Sequence, residues 1–84
     1  MSGASEPEKE AIRRFLRKHI GDAELSDQDD IFARGLVTSL FAMQLVRFLE
    51  KTFAIALHDD DLVVERFRSV DAMASLVALR RETP

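Results

Sequence analysis

The side chains that could do chemistry in this chain are few and scattered. Ser39 ends the run Gly35-Leu36-Val37-Thr38-Ser39 and opens the apolar-periodic run Leu40-Phe41-Ala42-Met43-Gln44-Leu45-Val46. A Thr or Ser hydroxyl there can cap a helix, accepting a bond from an amide that has no partner in the first turn. It can also be presented to another protein. As a nucleophile Ser39 lacks a base, because the 2 histidines, His19 and His58, fall in segments with no reason to meet it. His19 reads as a cation or donor near a helix end. No paired carboxylates, Ser-His-Asp set or glycine-rich phosphate loop can be assembled, so the catalytic set is none and the expectation is a non-enzyme. Asp27, Asp29 and Asp30 lack the glycine and distal glutamate of a helix-loop-helix calcium site. Asp59-Asp60-Asp61 beside His58 lacks the spacing of a helical ligand pair, so no metal is expected. Ser39 becomes useful if a partner enzyme supplies the base.

Composition narrows the field. The 84 residues suit one small domain, and 46% hydrophobic with 32% charged residues suits a folded, soluble one with a modest core. The absence of cysteine removes disulfides, thiolate zinc sites and cysteine nucleophiles together. A net charge of −3 argues against a phosphate backbone as the main partner, so no nucleic acid is expected. No apolar run approaches the roughly 20 residues that span a bilayer. The opening residues lack the basic start and apolar centre of a signal peptide. A monomer in the cytoplasm, with no membrane partner, is the expectation.

Helical periodicity supplies the elements that must position Ser39. Residues 1–5 read as a disordered tail, 6–81 as the domain and 82–84 as a frayed end. Pro7 and the acids Glu6, Glu8 and Glu10 suit a helix start. Ile12, Phe15, Leu16 and Ile20 then share one face, and Gly21 stops the helix. Asp22 to Gly35 reads as a long acidic loop with Leu25, Ile31, Phe32 and Leu36 as apolar anchors. The second helix is predicted over Ser39–Phe53. At about 100° per residue, Ala42, Leu45, Val46, Leu49 and Phe53 form its core face, with Phe41 and Phe48 at the margin. Leu40 and Met43 point away, one on each side of Arg47, where they can form a docking patch beside the serine. Three aspartates lead into a short helix over Leu62–Phe67, held by Leu62 and Phe67. Ser69 caps a last helix with Val70, Met73, Ala74 and Val77 inward, Leu76 at the side of that stripe, and Arg80 and Arg81 at its negative end. The fold class is all-α: three main helices, one short helix and a long first loop.

These residues carry a resemblance. Over nearly its whole length the chain resembles an acyl carrier protein of the phosphopantetheine-binding family: helix, acidic loop, Gly-Leu-x-x-Ser-Leu, a second helix ending Glu50-Lys51-Thr52-Phe53, an Asp-rich minor helix and a Ser-Val-led final helix. The resemblance implies that Ser39 accepts 4′-phosphopantetheine from coenzyme A through a phosphopantetheinyl transferase. The terminal thiol of that arm then carries an acyl thioester, which fits a chain without its own sulfur nucleophile. Two features depart from the commonest motif: Thr38 stands where Asp usually precedes the serine, and Gly35 lies four residues before Ser39 instead of three. The spacing is similar to that of free-standing D-alanyl carriers and of discrete carriers for polyketide extender units. Leu40-Phe41-Ala42-Met43 after the serine resembles the methoxymalonyl-type carriers more closely.

On that resemblance the partners are acyl-loading and acyl-modifying enzymes and a polyketide synthase acyltransferase or equivalent acceptor. Thr38 is placed to take the capping duty and leave Ser39 free. Thr38, Leu40, Met43, Arg47 and Val63 are the expected docking residues. The second helix is not strongly acidic, so steering is assigned to Asp27, Asp29, Asp30, Asp59, Asp60, Asp61 and Glu65. The alternatives that the residues leave open are a D-alanyl or aminoacyl carrier, a helical adaptor in which Ser39 is only a cap, and a self-sufficient serine hydrolase.

Overall fold

Helix α1 spans Glu6–Ile20, with Glu6 and Glu8 in its first turn and Arg17, Lys18 and His19 in its last. That arrangement complements the helix dipole at both ends. Ile12 and Leu16 are buried, while Phe15 and Ile20 pack half-buried against the core. Gly21 ends the helix at φ 92°, its amide donating to the Arg17 carbonyl at 3.1 Å. A left-handed residue there suits glycine, which has no Cβ to clash. The computed structural model describes residues 6–21 and 24–82; of the ends expected at 1–5 and 82–84, residues 1–5 and 83–84 lie outside them and Glu82 belongs to the last helix.

The long loop is sewn to the far end of the chain. The Ile31 amide donates to the Arg68 carbonyl at 2.7 Å, and the Asp71 amide donates to the Asp27 carbonyl at 3.0 Å. Ile31 is buried, and Leu25, Phe32, Leu36 and Val37 pack against the core as partly buried anchors. A turn over Ile31–Gly35 closes with the Leu36 amide donating to the Ile31 carbonyl at 3.0 Å, with Gly35 at φ 74°. The loop therefore delivers the chain to the next helix from a fixed point.

Helix α2 spans Ser39–Phe53, as its periodicity predicts. Leu45, Leu49 and Phe53 are buried, and Ala42 and Val46 are half-buried at the edge of that face. Burying a leucine side chain fully is worth about 2 kcal/mol, so this face is what docks the helix. Ala54 closes it in the left-handed region at φ 55°, with its amide donating to the Glu50 carbonyl.

The next segment departs from expectation. The aspartates do not cap a helix that begins at Leu62. They themselves form a 3₁₀ turn, Asp59–Asp61, and helix α3 is only Val64–Phe67. Phe67 is buried as expected, but Leu62 is 51% exposed and anchors nothing. Asp61 is the buried residue instead, at 1% exposure. The reason lies 19 residues further on: Arg80 donates to both of its carboxylate oxygens, at 2.7 and 2.9 Å.

Helix α4, Val70–Glu82, starts from Ser69, whose Oγ accepts from the Ala72 amide at 3.0 Å. It carries one residue beyond Arg81 and buries Val70, Met73, Ala74, Leu76 and Val77. Leu76, expected at the side of the stripe, is fully inside. A helix that packs against both α1 and α3 needs a wider apolar face than one with a single neighbour. Every regular element among the described residues is helical, which makes the chain an all-α bundle.

Candidate functional site

Ser39 is the first residue of α2 and is exposed. Thr38 takes the cap. Its backbone is extended (φ −92°, ψ 167°), its Oγ1 accepts from the Phe41 amide at 3.1 Å, and its carbonyl accepts from the Ala42 amide at 2.9 Å. Two adjacent hydroxyls at one helix start thus have different duties. Among the described residues Ser39 Oγ has no hydrogen-bond partner, so it faces solvent at the positive end of a 15-residue helix. Amides of that first turn and the helix dipole favour an anionic group beside it.

Leu40 and Met43 are 69% and 66% exposed, pointing outward as the helical arithmetic predicts, with Arg47 also in solvent. The tertiary structure divides this patch. Met43 and Val63 line a shallow apolar groove together with Phe32, Ala42, Val46, Leu62, Val64 and Phe67. Leu40 and Arg47 remain on the outer ridge of α2 and do not line that groove. Except for Met43 and Val63, the residues of the groove were not among the expected docking residues. The one signal was the run Leu62-Val63-Val64, three consecutive apolar residues too many for so short a helix.

The acids assigned to steering fare unevenly. Arg13 donates to both oxygens of Asp27, at 2.7 and 2.6 Å, and holds its carboxyl below the usual range against the opposing effect of burial. Asp61 is likewise held low, chiefly by the Arg80 guanidinium and then by the His58 amide, which donates to it at 2.9 Å. Asp29 accepts from the Ser26 amide and meets Arg34 at 3.3 Å. Asp30 accepts from the Phe32 and Ala33 amides. Asp27 and Asp61 are therefore structural, and Asp29 and Asp30 shape the loop. Asp59, Asp60 and Glu65 stay exposed. Of the seven acids expected to steer a partner, only those three are exposed.

The histidines take no part in the site. His19 Nδ1 lies 3.0 Å from the Phe15 carbonyl, and its ring packs on Phe15 at 4.2 Å between centroids. His58 precedes the aspartate turn. Among the described residues no group of three or more His, Cys, Asp or Glu side chains could hold a metal ion. Among them, too, no helix is long and apolar enough to cross a membrane.

The described residues form a helical bundle with an exposed serine at the start of its second helix. An exposed serine at that place is what the resemblance to a carrier protein implies. Comparison with known families agrees: the model of the phosphopantetheine attachment site matches residues 9–77, and the chain belongs to that family. It is a carrier domain for a covalent 4′-phosphopantetheine arm, working with a phosphopantetheinyl transferase and acyl-handling enzymes. Comparison with curated proteins gave no match.

Proposed function

We propose that Ser39 is the attachment residue and that this carrier holds a short polyketide extender unit of the methoxymalonyl type. The observation that supports Ser39 is the division of labour at the start of α2: Thr38 Oγ1 occupies the amide that a capping serine would take, and the Ser39 hydroxyl is exposed. A phosphodiester at Ser39 Oγ would sit where the helix dipole favours negative charge. The arm supplies the thiol on which an acyl group rides as a thioester. The protein's own residues fix the attachment point and offer Leu40, Met43 and Arg47 to a visiting enzyme, with Val63 across the groove. The extender-unit reading is supported by the four-residue spacing from Gly35 to Ser39, by Thr38 in place of Asp, and by Leu40-Phe41-Ala42-Met43 after the serine.

The test is intact mass after incubation with coenzyme A and a broad-specificity phosphopantetheinyl transferase. A gain of one arm that is absent in Ser39→Ala is expected. A gain that survives Ser39→Ala would assign the arm to another residue. Intact mass of the protein from its own producing cells then reads the cargo, and a tethered amino acid there would replace the extender-unit reading with an aminoacyl one.

A further inference from the structure

Among the described residues three cations without an ion-pair partner, Lys18, Arg47 and Lys51, lie on α1 and α2 outside the lining of the Met43–Val63 groove. Phe15 of α1 and Phe48 of α2 stack with centroids 4.1 Å apart and form the half-buried floor of a cleft between the two helices. Arg14 and Lys18 border it on one side, and Gln44, Arg47 and Lys51 on the other. Among the described residues no carboxylate lines it. The acids that could have neutralised these cations are turned elsewhere. Glu50, the one acid on α2, accepts from the Leu57 amide at 3.0 Å. Glu10 is shared among Arg13, Arg17 and, at 3.9 Å, Arg14, whose side chain is 77% exposed. Among the described residues Lys18, Arg47 and Lys51 have no ion-pair partner. Among the described residues a chain of net charge −3 thus presents a basic, aromatic-floored strip with little compensating charge.

We propose that this cleft docks an acidic helical segment of a partner protein, with one large apolar side chain against the Phe15–Phe48 edge and carboxylates on Arg14, Lys18, Arg47 and Lys51. Charge complementarity selects the partner: lysine and arginine around an apolar floor attract carboxylates and repel a basic surface. A nucleic acid is the poorer occupant. Bases bind by stacking on free ring faces, and here the two rings stack on each other. The docking needs no arm on Ser39, so it stands or falls apart from the attachment reading. Because Arg47 and Leu40 share the outer ridge of α2, a partner seated in the cleft also lies close to the start of that helix.

The test uses the full unmodified chain, labelled with ¹⁵N, and a synthetic amphipathic helical peptide with leucines on one face flanked by glutamates. Chemical-shift changes are expected to centre on residues of α1 and α2 around Phe15, His19, Phe48 and Lys51, and to weaken as salt rises. The double reversal Arg47→Glu with Lys51→Glu should keep the helical circular dichroism, weaken the glutamate peptide by about tenfold or more, and gain binding to the same peptide with lysines for glutamates. Equal binding of both peptides by the unaltered chain, or shifts centred on Met43 and Val63, would overturn the proposal. So would preferential shifts at the cleft with a dodecamer of thymidine, which would make the strip a nucleic-acid site. Self-association in sedimentation that is lost on the double reversal would overturn it in favour of a second copy as the occupant.

Discussion

Asp61 offers the sharpest stability test, because its two neighbours of the same type stay in water while it does not. Its carboxylate is 1% exposed and accepts from Arg80 twice and from the His58 amide once. It ties the connection between α2 and α3 to the last turns of α4. Asp61→Ala strips the Arg80 guanidinium of its partner where that side chain is only 14% exposed, and it orphans the His58 amide. Breaking a buried ion pair costs about 3–5 kcal/mol, and Arg80's remaining access to water sets the expectation for Asp61→Ala near the low end, about 3 kcal/mol. For a domain of this size each kcal/mol moves the melting temperature by about 4–8 °C, so a fall of about 12–24 °C is expected.

Thermal unfolding followed by far-ultraviolet circular dichroism measures this, with Asp60→Ala as the exposed control, expected within about 0.5 kcal/mol of the parent. The double variant Asp61→Ala with Arg80→Ala should recover part of the loss, since the orphaned charge leaves with its partner. The pH dependence has a fixed sign. Asp61 has a folded pKa below its unfolded value, so the unfolded chain binds more protons as the solution is acidified. The stabilisation is complete above the ordinary aspartate value of about 3.9 and is lost as pH falls through the lower folded value. Asp27, held low by Arg13, contributes in the same direction. Asp61→Ala should flatten the acid limb and leave the part that belongs to Asp27. A melting-temperature loss no larger than that of Asp60→Ala, or an unchanged acid limb, would refute the buried-pair reasoning.

Other outcomes separate surface from core and cap from cargo. Leu45→Ala, at a fully buried position, should cost about 2–5 kcal/mol in urea unfolding, whereas Met43→Ala, 66% exposed, should cost well under half of that. Equal losses would mean that Met43 is a core residue. Thr38→Ala removes the acceptor of the Phe41 amide and should cost about 1 kcal/mol; intact mass should show the arm still attached, because Ser39 keeps its place. Ala54→Gly should raise stability by about 0.5–1 kcal/mol, since Ala54 holds a left-handed φ of 55° at the end of α2. Charge reversal at Arg47 should change the rate of arm transfer, read by mass against time, and leave the unfolding free energy within about 0.5 kcal/mol of the parent.

What the sequence determined by itself is local and periodic. The span of α2, the stop at Gly21, the caps at Thr38 and Ser69, and the outward Leu40 and Met43 follow from rules that act within one or two turns. The site was legible for that reason: a serine, its capping neighbour and two apolar residues all lie on one regular helix. The tertiary structure alone decided which charges are free. Asp59, Asp60 and Asp61 are identical in the sequence, and the choice among them is made by Arg80, 19 residues away. Asp27 is claimed by Arg13, 14 residues back. Leu62 moves from expected anchor to groove wall because the segment is too short for its period to fix a face. The net charge of the chain is set by composition, but which carboxylates stay free is set by the pairs that the fold makes. Here it consumes enough of them to leave the strip along α1 and α2 basic.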